Sequence, residues 1–168
     1  VPGHIELTLA ALTNAGVEYL VVGGVAVVMH GHLRVTADLD LVFKLERSNL
    51  DKALKTLATF GFRARAPVSM FDFADPAIRQ SWIEEKGLTV FSLWTPNWQG
   101  FELDLFVREP FDFKAAYGRA VRVNLETCVA TVVSISDLIA LKQRVGRPRD
   151  LEDIAALRIL EGNDDQGT

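Results

Sequence analysis

Arg34-Val35-Thr36-Ala37-Asp38-Leu39-Asp40-Leu41 alternates strictly between polar and apolar side chains. Successive side chains of a strand leave opposite faces, so the pattern predicts a half-buried strand. Arg34, Thr36, Asp38 and Asp40 share one face, and Val35, Ala37, Leu39 and Leu41 share the other. Asp38 and Asp40 then leave the same face with Cα atoms roughly 6.6 Å apart, at about 3.3 Å of rise per residue. Their oxygens can converge on one cation. Two like charges so placed raise each other's cost of ionisation unless a positive ion or solvent intervenes. Taken alone, the pair also fits a solvated edge strand whose polar face happens to be acidic.

Upstream, Ile5, Leu9 and Leu12 have helical spacing over residues 4–15, and Gly16 follows as a C-cap. The β-branched run Val17 to Val22 predicts a strand that enters Gly23-Gly24, after which Val25 to His30 reads as a short buried helix. A glycine pair between strand and helix lets backbone N–H groups approach a phosphate. Tight strand–helix packing selects glycine equally well.

Downstream, Ser48 and Asp51 resemble a capping box for a helix through Phe60, with a short strand at Phe62 to Arg65 after it. Asp75-Pro76 supplies N-cap and first-turn chemistry for a helix to Lys86, closed by Gly87. Leu88 to Trp94 and Phe101 to Val107 read as a strand hairpin around the Thr95 to Gly100 loop. A short helix around Asp112 to Tyr117 and strands near Ala120 to Val123 and Cys128 to Val133 follow. Ser136 caps a helix to Val145, Gly146-Arg147-Pro148 breaks it, and Asp150 to Leu160 forms a second. Residues 1–162 read as one domain, and the polar residues 163–168 as a disordered tail.

Asp104 strengthens the reading of the aspartate pair. Phe101, Leu103, Leu105 and Val107 form one face of its strand, leaving Glu102, Asp104 and Phe106 on the other. A neighbouring position in the same sheet would bring three carboxylates together. Such oxygen donors suit a hard divalent cation such as Mg²⁺, with Mn²⁺ as an alternative, whose shell waters and substrate phosphates complete. The chemistry implied is phosphoryl or nucleotidyl transfer.

Gly23-Gly24, Arg34-x-Thr36-x-Asp38-Leu39-Asp40-Leu41 and Leu103-Asp104-Leu105 together resemble the signature of the DNA polymerase β-like nucleotidyltransferase superfamily. Within it the chain is most similar to the AbiEii-like and minimal nucleotidyltransferases of prokaryotic toxin–antitoxin systems. Asp137-Leu-Ile-Ala-Leu-Lys142 and Gly146-Arg-Pro-Arg-Asp150 carry the resemblance towards the C-terminus. It implies an α/β fold, with a mixed twisted sheet flanked by helices and a C-terminal helical pair. It also implies an NTP bound with Mg²⁺ and transfer of NMP to an acceptor hydroxyl on RNA, protein or a small molecule, with an antitoxin protein as a further partner. Asp38, Asp40 and Asp104 match the metal-binding and catalytic carboxylates, with Asp104 helping to deprotonate the acceptor. Gly23 and Gly24 match the triphosphate contacts, although Gly24 stands where many members carry serine.

Arg34 and Thr36 lie on the aspartate face, where Arg34 can neutralise Asp38 or hold a phosphate. Lys142, Arg144, Arg147 and Arg149 concentrate positive charge, which serves either a triphosphate or RNA contact or ordinary helix-end compensation. Lys142 follows Leu138 by one helical turn and so points inward, making it the favoured phosphate lysine. His30 and His32 lack the further ligands of a zinc shell. Trp94 and Trp98 fit either base stacking or a sealed core edge. Cys128 reads as a small buried hydrophobe.

The 168 residues are 49% hydrophobic and 24% charged, which fits one globular core and excludes wholesale disorder. A net charge of −4 supplies no global cationic field, so any polyanion is gripped locally. The longest apolar run, Leu20 to Met29, is well short of the roughly 20 residues that span a bilayer. Neither a membrane span nor a secretory signal is expected, and the single cysteine fits a reducing cytoplasm. A dinucleotide oxidoreductase fails on spacing, since G-x-G-x-x-G is absent. The competing reading is a non-catalytic member of the same fold that binds a nucleotide or a partner.

Overall fold

The computed structural model describes residues 3–167. Helix α1 (His4–Asn14) precedes strand β1 (Tyr19–Val22), which runs directly into helix α2 (Gly23–Met29). Strand β2 (Asp38–Phe43) and helix α3 (Arg47–Thr59) follow. Next come the two-residue strand β3 (Arg63–Ala64), a 3-10 turn at Met70–Ala74, and helix α4 (Pro76–Lys86). Strands β4 (Val90–Trp94) and β5 (Glu102–Phe106) form the hairpin. Helix α5 (Phe113–Arg119), strands β6 (Val121–Asn124) and β7 (Val129–Val132), and helices α6 (Ile135–Val145) and α7 (Pro148–Asp164) complete the chain.

The strands make one mixed sheet in the order β3-β4-β5-β2-β1-β7-β6. β1 pairs antiparallel with β2 and parallel with β7, while β2 pairs parallel with β5. This is the helix-flanked mixed sheet, ending in a helical pair, that the resemblance implies. Leu39, Leu41, Leu103 and Leu105 are fully buried on one face of β2 and β5, each worth about 1.5–3 kcal/mol relative to exposure. β1 is buried along its whole length, as a central strand covered on both faces must be.

Local signals account for several boundaries. Asp75 accepts hydrogen bonds from the Ala77 and Ile78 N–H groups, Pro76 opens α4, and Gly87 ends it in the left-handed conformation.

The structure corrects other boundaries. β2 begins at Asp38, not Arg34, and Leu33 and Val35 are 86% and 85% exposed. β1 offers partners only from Tyr19 to Val22, against Phe43 to Asp40, and β5 only from Glu102, against Asp38. Residues 34–37 therefore have no strand to pair with. Arg149 Nη2 instead donates to the Val35 carbonyl at 2.5 Å. Glu46, not Ser48, precedes α3, and no side chain caps that helix. Ser134, not Ser136, caps α6 by accepting from the Asp137 N–H. α7 begins at Pro148 and continues past Leu160 to Asp164. Among the described residues no helix is long and apolar enough to cross a membrane.

Candidate active site

Across β2 and β5, Asp38 lies opposite Glu102 and Asp40 opposite Asp104 in parallel register. Residues directly opposite in a sheet project to the same face. The three sequence-predicted carboxylates, with Glu102, therefore share one face of the sheet, opposite the buried leucines. The rows extend further: Val22, Asp40, Asp104 and Ser92 form one, and Asp38, Glu102 and Trp94 the next.

Burial and the charges of Asp104 and Asp38 push the Asp40 carboxyl up to about 7, against smaller opposing pulls from Lys142 and Arg147. Burial raises Asp104 as well, and Glu102 and Asp38 add to the rise, while the Ser92 hydroxyl, donating to Asp104 Oδ1 at 2.5 Å, opposes it. Arg65, Lys142 and Arg147 offset only part of the negative charge that this face concentrates.

The glycine pair closes over the same place. Gly23 adopts φ +67°, a region where L side chains are strained. A Cβ on it would stand 2.1 Å from Asp40 Oδ2. A Cβ on Gly24 would stand 2.6 Å from Arg34 Nη2 and 2.7 Å from Thr36 Oγ1. Site side chains thus approach both glycines closely, and the backbone of Gly23 favours glycine as well. Gly23, Gly24, Arg34, Thr36 and Asp40 are brought together here although they come from α2, β2 and the irregular segment between the two.

Arg34 pairs with Asp153, not with Asp38: its Nη1 donates to Asp153 Oδ2 at 3.2 Å. Lys142 is buried, as its helical position predicts, and its ammonium is already engaged. It donates to Asp153 Oδ2 at 2.9 Å and to Asp150 Oδ1 at 3.5 Å. Arg147 in turn binds Asp150 through Nε at 2.9 Å. The basic segment is therefore divided: Lys142 and Arg147 join this network, Arg149 ties down Val35, and Arg144 donates to the Pro110 carbonyl.

On the β4 side, a cleft of about 560 Å³ opens beside Asp38, with Arg65, Trp94, Trp98 and Glu102 in its wall. Arg65 donates to Glu102 at 2.8 Å and lies 6.0 Å from the centre of the Trp94 ring. Trp98 belongs to an aromatic cluster, stacked on His4 at 4.6 Å and edge-on to Phe62 and Phe101. Of the two tryptophans weighed for stacking on a ligand, Trp98 seals the core edge and Trp94 faces the carboxylate row. His30 Nε2 is within 2.7 Å of the Val133 carbonyl, a fold contact.

The donor chemistry fits a hard divalent cation. Every candidate ligand is a carboxylate oxygen, all project from one face, and their mutual repulsion is what a cation would relieve. Among the described residues no three such groups converge on a ready-made metal position. That is compatible with a cation that keeps waters and takes substrate phosphates rather than sitting in a protein cage.

Sequence reasoning missed Ser92, Glu102, Asp150 and Asp153. Asp150 and Asp153 did leave a signal: with Ile154 and Leu157 they occupy i, i+3, i+4 and i+7, a single helix stripe that is buried throughout.

The sheet order and this face define a nucleotidyltransferase-like fold. The chain is similar in structure to the lincosamide antibiotic adenylyltransferase LnuA bound to lincomycin, with a TM-score of 0.63 and 14% identity over 93% of this chain and 95% of that one. It is similar also to ANT(2")-Ia in complex with adenylyl-2"-tobramycin, with a TM-score of 0.59 and 16% identity over 96% and 89%. An antigenic nucleotidyltransferase-like protein from Paracoccidioides brasiliensis gives a TM-score of 0.52 and 22% identity over 92% and 76%. No curated protein matches the sequence. Residues 5–164 match the family described as a nucleotidyltransferase of unknown function (DUF6036), and the chain belongs to that family.

Proposed function

We propose that this chain transfers NMP from an NTP to an acceptor hydroxyl on the carboxylate face of β2 and β5. The observation that carries the reading is the register of Asp40 with Asp104, which puts three acidic side chains on one sheet face, with Gly23 against the Asp40 carboxylate and Gly24 against Arg34. In the reaction the acceptor oxygen attacks the α-phosphorus and its hydroxyl proton passes to Asp104. The bond from α-phosphorus to the bridging oxygen breaks, and pyrophosphate leaves with that electron pair. A carboxyl raised by burial is a better proton acceptor than an ordinary one, which suits Asp104 to this role. Asp38, Asp40 and Asp104 would hold Mg²⁺ or Mn²⁺, whose chemistry there is to neutralise charge developing on the phosphates. The Gly23 and Gly24 backbones, Arg34 and Thr36 would bind the triphosphate. Lys142 would act through its positive charge behind Asp40 rather than as a free phosphate ligand, since two aspartates already hold its ammonium.

The acceptor would enter by the cleft beside Asp38. A volume of about 560 Å³ suits a molecule of the size that ligand pockets of roughly 300–1,000 Å³ usually take. Two of the similar structures hold antibiotic molecules, lincomycin in one and adenylyl-2"-tobramycin in the other. Incubating the protein with each of four α-phosphate-labelled NTPs, Mg²⁺ and a cell extract tests the reading. Label should appear in the small-molecule, RNA or protein fraction, and that fraction identifies the acceptor class. Absence of label from all three contradicts transfer.

A toxin-type role with an antitoxin partner is a finer reading that rests on the AbiEii-like resemblance of Asp137–Lys142 and Gly146–Asp150. It predicts growth arrest on expression of the wild type and normal growth with Asp40→Asn. A non-catalytic nucleotide- or partner-binding role draws on the open arrangement of the carboxylates. It predicts NTP binding that is indifferent to Mg²⁺ in a thermal-shift assay.

A further inference from the structure

We propose that Asp153, on α7, is a positioning residue of the nucleotide site, holding Arg34 over Gly24 so that its guanidinium is presented to the triphosphate. This rests on the nucleotidyltransferase reading above.

Asp153 is 2% exposed, and its Oδ2 accepts from both Arg34 Nη1 and Lys142 Nζ, at 3.2 and 2.9 Å. A buried carboxylate is retained only when well paired, and here one oxygen collects two cations. The bond from Arg34 crosses 119 positions of sequence. It makes the C-terminal helix a wall of a site otherwise built from β1, α2 and β2.

Among the described residues, Asp153 is the one hydrogen-bond partner of Arg34. The guanidinium is thereby tied at one corner and unpartnered at the others. Nη2 lies against Gly24, so close that a Cβ there would come within 2.6 Å of it. Nε is buried with no partner at all. A pair that served only to fasten α7 would be expected to satisfy such a donor, because an unpaired buried N–H is a cost to the fold. Nη2, unpaired beside a glycine backbone, is a donor placed for a charge-assisted contact with phosphate.

The test compares affinities for ATP, GTP, CTP and UTP, with Mg²⁺, against those for the corresponding monophosphates, by calorimetry on the whole chain. For the preferred base, Asp153→Asn should weaken triphosphate binding about tenfold and leave the monophosphate within about twofold, a split that general loosening of the fold does not produce. Arg34→Ala should lose a similar factor, and adding Asp153→Asn to it should cost less than about threefold more, because the two act as one unit. Glu152→Gln, the neighbouring but exposed carboxylate of α7, should keep the wild-type preference for triphosphate. If Asp153→Asn fails to fold, Asp153→Glu, which retains the charge, should bind triphosphate more tightly than Asp153→Ala. The proposal is overturned by unchanged triphosphate affinity in Asp153→Asn, by equal losses for triphosphate and monophosphate, or by a full second loss in the Arg34→Ala background. A wild-type chain that shows no preference for triphosphate contradicts the nucleotidyltransferase reading itself, and this is seen before any variant is made.

Discussion

Asp40 and Asp104 stand in register on neighbouring parallel strands, and each is raised above the ordinary carboxylate range. For Asp40 the folded value is about 7, above its value in the unfolded chain. Ionising it therefore costs the folded state more than the unfolded one. In metal-free protein, stability should fall as pH rises from about 4 to about 7, and level off above that window. Asp40→Asn should remove most of this dependence and raise stability at pH 8 by on the order of 1–3 kcal/mol. Thermal melts in chelator at pH 5 and pH 8 read it out. Equal melting temperatures of wild type and variant at pH 8 would show that the carboxylates do not repel as described.

The glycine pair gives a second prediction. Gly23→Ala meets both a left-handed backbone, costing roughly 1–2 kcal/mol, and the Asp40 carboxylate. Gly24→Ala meets only the flexible ends of Arg34 and Thr36. Gly24→Ala should therefore melt close to wild type yet bind NTP about tenfold more weakly through the displaced guanidinium. Gly23→Ala should lose both stability and binding. Wild-type NTP affinity in Gly24→Ala would place the triphosphate elsewhere.

Lys142 is 7% exposed between Asp150 and Asp153. Removing one partner of a buried ion pair leaves uncompensated charge, so Lys142→Met should destabilise the fold by about 3 kcal/mol, measured by urea unfolding. Lys142→Met with unchanged stability would mean that the ammonium contributes nothing to the α6–α7 contact.

Trp94 shares a row with Glu102 and Asp38 but is remote from Gly24 in the sheet order. Trp94→Ala should leave NTP affinity within about twofold while cutting label transfer to acceptor by tenfold or more, a loss of about 1.4 kcal/mol. A variant that transfers label as fast as wild type would remove the cleft from the acceptor path.

Much of this arrangement was legible in local chemistry. Asp75-Pro76 and Gly87 bracket α4 because capping is decided by a few neighbouring residues. The alternation of β5 separates Leu103 and Leu105 from Asp104 because burial follows the period of a strand. The start of β2 was not legible. Residues 34–37 keep the alternation of Asp38–Leu41, and only the limits of β1 at Val22 and β5 at Glu102 decide that they go unpaired. Ser136 failed as a cap because Ser134, two residues earlier, has the same chemistry and accepts from the Asp137 N–H, whereas α3 starts after Glu46 with no side-chain cap and takes Ser48 inside the helix. The roles of Asp150 and Asp153 were hidden because acidic residues on a helix read as solvent-facing until the cations that bury them are known. The meeting of Asp104 with Asp40 is a long-range pairing, implied by the family resemblance and not by any local pattern.

The most direct measurement is pyrophosphate release from the preferred NTP in the presence of Mg²⁺ and acceptor, for wild type, Asp40→Asn and Asp104→Asn. Wild type should release pyrophosphate in step with label transfer, and each folded variant should be slower by at least about 10²–10³-fold. Release at the wild-type rate by either variant would contradict the claim that this carboxylate face performs the chemistry.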